Sequence, residues 1–169
     1  MADASTRRIS AEAGWEFRKR PTGPTGRPTC RRCGAECKGR RRTFCGDACV
    51  HEHRIRSDPG YVRACLLERD HGVCRACGRD CIAWRSRVKP RIRGLAWEKA
   101  RDILRAEGLS YAHATRAFWD ADHIVEVVEG GGGCGLDNFQ TLCFPCHRDK
   151  TADLARRRAA RRAAGEGAG

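Results

Sequence analysis

The chain has 169 residues, and its 34 lysines and arginines against 21 acidic residues leave a net charge of +13. Charged residues make up 33% and aromatics only 7%, which bounds one modest domain, or a small domain with an added module, around a thin apolar core. No run approaches the ~20 apolar residues of a membrane span and the first twenty residues hold no leader-like apolar stretch, so no membrane association is expected and the expected setting is cytoplasmic, or nucleoid-associated in a bacterium.

Twelve cysteines and six histidines offer another source of stability. In a reducing compartment, paired CxxC words point to structural metal rather than disulfides, and bound zinc supplies folding free energy that a thin core cannot. The excess of arginine and lysine implies a polyanionic partner.

Residues 1–28 read as a basic arm. RPTGPTGRP at 20–28 is broken by Pro and Gly and lacks apolar periodicity. Trp15 and Phe17, beside Arg18, Lys19 and Arg20, either stack on bases or anchor the arm. Residues 29–57 follow as a zinc module, in which Cys30, Cys33, Cys45 and Cys49 suit a tetrahedral ion, Cys49 lies on a helix starting after Asp47, and Cys37 is a spare. Arg40 and Arg41, in the KGRRR insert, form a plausible phosphate grip.

From His51 the chain turns helical. Ser57 or Asp58 as N-cap, Pro59 in the first turn and Gly72 past the end delimit a helix with Val62, Cys65 and Leu66 facing the core. His51, His53 and His71 read as surface or capping residues. The pair Cys74 and Cys77 needs a partner pair, and Cys143 with Cys146 provides one: a closed four-cysteine zinc site that ties the start of the domain to the base of the last helix.

Alternating basic residues in WRSRVKPRIR, 84–93, suggest an extended ribbon, and 95–108 an amphipathic helix with Ala96, Ala100, Ile103 and Leu104 on one face. Trp119, Ile124, Val125, Val127 and Val128 favour a strand, the glycines at 130–133 a flexible loop, and the segment after Pro145 a helix running through the arginine-rich end.

Chemistry concentrates in FWDADHIVEVVEGGGGCGLDNFQTLCFPCHRDK, residues 118–150. Phosphodiester hydrolysis needs a base for water and a divalent cation against the phosphoryl oxygens. His123 suits the first task; Asp122 and His147 suit the second, as a hard oxygen and a borderline nitrogen donor. Asn138 is expected to hold His123 in one orientation. Adjacent strand residues face opposite sides, so Asp122 and His123 reach one phosphate only if the strand bends or ends there. Asp120 is a secondary candidate for the metal, and Lys150 and Arg148 are candidates for gripping the strand to be cut.

The words DHI, LDN and CxxCH, with Lys150 following, resemble the HNH endonuclease family. HGVC at 71–74, FWxxDHI, GGGG and QTLC extend the likeness over roughly residues 30–151, toward HNH modules borne by annealing-helicase nucleases. The resemblance implies a two-stranded hairpin and helix clasping one metal, His123 as general base, Asp122 and His147 as ligands of Mg²⁺ or Mn²⁺, Asn138 positioning the base, and a 3′-hydroxyl product.

The expected fold is therefore α+β: a zinc-stapled HNH (ββα-metal) nuclease domain at 58–155, with the N-terminal zinc module before it and a basic tail at 156–169. The expected function is metal-dependent DNA cleavage. The alternatives are a non-catalytic, zinc-dependent DNA-binding protein and a zinc-dependent interaction module, and a pure binder has no need of the full set Asp122, His123, Asn138 and His147.

Overall fold

The structure is a computed structural model, described here for residues 21–165. Trp15, Phe17 and the basic residues at 18–20 lie outside the described residues, as does the end of the basic tail. The chain divides between Val50 and His51 into two compact units.

The first unit is built of turns. Cys30 accepts a backbone bond from Gly34 at 2.9 Å and donates one to Ala35 at 2.7 Å, closing a knuckle whose left-handed turn (φ 76° at Gly34) only glycine adopts cheaply. Helix α1 (Asp47–Ser57) begins where expected and carries Cys49 in its first turn. Arg41 pairs with Asp47 at 2.6 Å.

The second unit contains α2 (Pro59–Asp70), α3 (Cys81–Ile92), α4 (Trp97–Ala106), β1 (Trp119–His123), β2 (Phe139–Cys143) and α5 (Phe144–Ala163). Asp58 caps α2 by accepting the Tyr61 N–H, Pro59 stands in the first turn, and His71 closes the helix in the left-handed conformation. Val62 and Leu66 are buried, while Cys65 is half-buried against the core.

Residues 84–93 correct the sequence reading. All but Arg93, the C-cap, lie in α3 and not in an extended ribbon, because Cys81, Trp84, Val88 and Ile92 recur at helical spacing and are all buried. Asp80 caps this helix through the N–H groups of Ile82 and Ala83. The alternation of arginines and lysines is incidental to that apolar stripe. Trp84 packs edge-on against Phe118 at 5.0 Å, and its indole donates to Glu107 at 2.8 Å.

Strands β1 and β2 pair antiparallel, with Asp122 opposite Gln140 and His123 opposite Phe139. A two-stranded hairpin is marginal alone. Here α2 and α5 pack on it, Thr141 donates to Asp70 at 2.8 Å, and the Arg69 guanidinium donates to the Phe139 carbonyl at 2.8 Å.

The strand ends at His123, the expected irregularity, so Val125, Val127 and Val128 do not extend it. All three are exposed, and 127–129 form a single 3₁₀ turn. The glycine run is also more than a flexible loop: a Cβ on Gly131 would stand 1.8 Å from the Val125 carbonyl oxygen, so the chain passes where only glycine fits. Among the described residues no helix is long and apolar enough to cross a membrane.

Candidate active site and metal centres

Two groups of four thiols are assembled. The sulfurs of Cys30, Cys33, Cys45 and Cys49 lie within 4.8 Å of one another, and so do those of Cys74, Cys77, Cys143 and Cys146. Each set suits one tetrahedral metal ion and leaves no position for water or substrate. The second set joins the α2–α3 turn to the end of β2 and the first turn of α5, where a bond from the Arg75 N–H to the Thr141 carbonyl reinforces it at 2.9 Å.

Thiol acidity follows the same grouping. Burial pushes Cys30 up, but the backbone N–H groups of Cys33, Cys45 and Arg32 outweigh it and bring the thiol down to about 6. Its neighbour Cys49, hydrogen-bonded to Cys45 and desolvated, is pushed up to about 12. In the second group Cys74 falls to about 7 despite burial, through N–H groups of Cys143, Cys77 and Ala76, while burial raises Cys143 to about 11. One thiolate per group repels the formation of others, and a dication reverses that repulsion. Cys37 and Cys81 are buried and stand outside both groups.

On β1, Asp120 and Asp122 are two residues apart and share the face toward α5. The His147 ring lies between them, its Nδ1 3.5 Å from Asp120 Oδ2 and its Nε2 3.6 Å from Asp122 Oδ1. Asp122 is almost fully buried; its Oδ2 accepts from Gln140 at 2.9 Å and from Lys150 at 2.6 Å, which leaves Oδ1 facing the imidazole. One oxygen and one nitrogen thus converge, as a small divalent cation requires.

In the absence of a cation, Asp120 and His147 each favour the charged form of the other. Burial raises the Asp120 carboxyl, but His147, Arg116 and Arg63 beside it outweigh burial and keep it below the usual carboxylate range. Asp120 meets Arg63 at 3.1 Å and Arg116 at 3.2 Å. Hydrogen bonding to Asp120, against burial and with help from Asp122, raises His147.

His123 alternates to the other face of β1. Its ring packs at 4.3 Å on Phe139 and borders a cavity of about 410 Å³ that Arg63, Arg116 and Asp120 also line. Asp120 borders this cavity and also the cleft that holds His147, so the two openings meet at its carboxylate.

Two expectations need correction. Asn138 makes its side-chain bonds to the Val125 N–H, the Val125 carbonyl and the Gly131 carbonyl, not to the His123 ring. It latches the loop that follows His123, because Ile124 already pairs with Asn138 along the backbone and brings that loop within reach. Lys150 does not extend to solvent: its ammonium pairs with Asp122, with Glu126 at 2.7 Å and with the His123 carbonyl. Burial lowers the Lys150 pKa, yet the two carboxylates outweigh that and raise it. Arg148 is exposed on α5 at the mouth of the His147 cleft, while Arg40 and Arg41 are exposed in the first unit.

Sequence reasoning passed over Glu126, Gln140 and His113. Gln140 could have been found from the strand register opposite Asp122, and the pairing of Asp120 with Asp122 from its period of two.

Residues 111–153 match the family model described as HNH endonuclease. The crystal structure of the human ZRANB3 HNH domain is 33% identical, with a TM-score of 0.44 over 63% of this chain and 97% of that one. The segment 111–153 belongs to the HNH endonuclease family. The chain also aligns within longer relatives named DNA annealing helicase and endonuclease ZRANB3, 37% identical in Mus musculus and 34% identical in Homo sapiens. Each alignment covers 79% of this chain, which spans only 14% of those relatives' length.

Proposed function

We propose that this HNH protein is a DNA endonuclease that hydrolyses phosphodiester bonds with one divalent cation, Mg²⁺ or Mn²⁺, and two structural zinc ions. The observation that carries this reading is the convergence of Asp122 Oδ1 and His147 Nε2 one residue before His123, where β1 ends. A cation held there would neutralise charge on the phosphoryl and leaving oxygens. Asp120 would fix the His147 ring by its Nδ1 edge, so that Nε2 stays toward Asp122.

His123 would accept the proton of the attacking water. The end of the strand frees the scissile phosphate to lie across the edge of β1, between the His123 cavity and the His147 cleft. The zinc ions would be architectural, one of them fixing His147 through the adjacent Cys146. The +13 charge favours a nucleic acid substrate.

A second reading is a zinc-dependent DNA-binding protein without catalysis. It is favoured by Lys150, whose ammonium already neutralises Asp122 and Glu126. Plasmid incubation with and without Mg²⁺, using wild type and His123→Ala, separates the two. Cation-dependent cutting that falls by about 10²–10⁴-fold in the variant is expected for general-base assistance. Binding with no cutting by wild type under any divalent cation would return the second reading.

A further inference from the structure

We propose that His113 is a phosphate-binding residue of this protein, donating its Nε2–H to a DNA phosphodiester oxygen in the cleft beside His147. The proposal rests on the nuclease reading for the identity of the ligand, and on the following geometry for the site.

The cleft has a volume of about 630 Å³, and its lining includes Ser110, His113, Asp120, His147, Arg148 and Thr151. It opens onto the His147 imidazole and the Asp120 carboxylate that holds the far edge of that ring. His113 belongs to a single 3₁₀ turn, Tyr111–His113, and its ring lies flat on Phe144, with centroids 3.8 Å apart and planes 12° from parallel. Phe144 is the first residue of α5, three before His147. The stack therefore ties the His113 ring to the helix that carries the metal-site imidazole.

The tautomer is set by Ser110. Its backbone N–H donates to His113 Nδ1 at 3.0 Å, and its hydroxyl lies 3.2 Å from the same atom. Nδ1 is then the acceptor, and a neutral ring carries its proton on Nε2. Burial, and then the nearby Arg116, lower the His113 pKa against the opposing pull of Asp120. Among the described residues nothing pairs with Nε2, although both faces of the hydrogen-bonding problem are solved at Nδ1.

A ring that lines the cleft, is held by stacking and has Nδ1 already satisfied keeps Nε2 as its donor for an acceptor ligand. The cleft supplies the nature of that ligand. Its lining carries the exposed Arg148 and the His147 imidazole, so an anionic oxygen is the acceptor that fits, and phosphates adjacent to the cut are the anions a nuclease must position.

The test is DNA binding and cleavage by wild type, His113→Phe and His113→Gln, each checked for fold by circular dichroism. Phenylalanine keeps the stack on Phe144 and removes the donor; glutamine gives up the stack but restores an N–H. A hydrogen bond to a charged phosphate predicts a loss of about 10- to 100-fold in affinity or kcat/KM for His113→Phe, with partial recovery in His113→Gln. Duplexes bearing single neutral methylphosphonates locate the contact. At one phosphate wild type should lose affinity while His113→Phe loses none further, and purely additive losses at every position would overturn the proposal. So would a folded His113→Phe that binds and cuts as wild type does. If wild type binds but never cuts, the nuclease reading fails, while the binding comparison still decides the role of His113.

Discussion

Asn138 and Val125 exchange two hydrogen bonds: the amide oxygen accepts the Val125 N–H at 2.8 Å, and the amide nitrogen donates to the Val125 carbonyl at 3.0 Å. The same nitrogen donates to the Gly131 carbonyl at 3.0 Å. An asparagine side chain here mimics a peptide group and pairs with the backbone as a strand would, although β1 has ended at His123. The residue proposed to activate water is thereby followed by a latched turn, and its own carbonyl accepts from the Lys150 ammonium.

Replacing Asn138 tests that latch. Asn138→Ala removes three bonds worth about 0.5–1.5 kcal/mol each, so a stability loss of about 2–4 kcal/mol in urea unfolding is expected, together with slower cleavage. Asn138→Asp should be at least as damaging, because it sets a carboxylate oxygen against two carbonyls. If Asn138 acted only as an acceptor for the His123 ring, Asp would be tolerated, and equal stability of Asp and wild type would refute the latch.

These residues also show what was legible in the sequence. The grouping of the cysteines and the approach of His147 to Asp122 were readable because metal coordination restricts residue type and distance along the chain. The helix at α3 was hidden, since the alternating charges of 85–93 present a period of two, while the buried stripe of Cys81, Trp84, Val88 and Ile92 declares itself only against a core partner such as Phe118. The partners of Asn138 and Lys150 were hidden for another reason. Both are decided by where β1 stops, and the valines beyond His123 carry strand propensity that the loop overrides.

The four-cysteine group of the second unit predicts a dependence on metal. Wild type should carry two zinc ions per chain, one for each group, and Cys146→Ser should lose one of them. Because Cys146 stands in the first turn of α5, the same change should loosen the helix at His147 and lower the melting temperature. Metal analysis and circular dichroism before and after strong chelation read both effects. Full zinc content in folded Cys146→Ser would contradict the ligand assignment.

Glu107 predicts a pH dependence. The Trp84 indole N–H, against some burial and with Arg91 at 2.7 Å, holds this carboxyl below its usual value of 4.5. A depressed folded-state pKa contributes stability that is fully present above 4.5 and disappears as pH falls through the lower folded value. Glu107→Gln should therefore cost about 1 kcal/mol near pH 7, and that difference from wild type should shrink as the solution is acidified below about pH 4. Comparing the two proteins at each pH removes the acid sensitivity that both share through their thiolates. A gap that stays constant down to about pH 3 would show that the carboxylate charge is not involved.

The arrangement of Asp120, His147 and Asp122 makes the sharpest separation of roles. Asp122 would supply an oxygen to the cation, whereas Asp120 would only hold the far edge of the imidazole, so their alanine variants should differ in kind. Asp122→Ala should abolish measurable Mn²⁺ binding at the site in calorimetry. Asp120→Ala should weaken it by about 10- to 100-fold, the usual cost of losing a partner that orients a histidine ligand. His123→Ala, on the opposite face of β1, should leave Mn²⁺ affinity unchanged while slowing cleavage. Because Asp120 also anchors Arg63 and Arg116, its variant needs a check of fold, and Asp120→Asn keeps an acceptor for Nδ1 and should recover part of the affinity. Wild-type Mn²⁺ binding by folded Asp120→Ala would show that Asp120 does not act through His147, and its place between the two openings would then belong to the arginines alone.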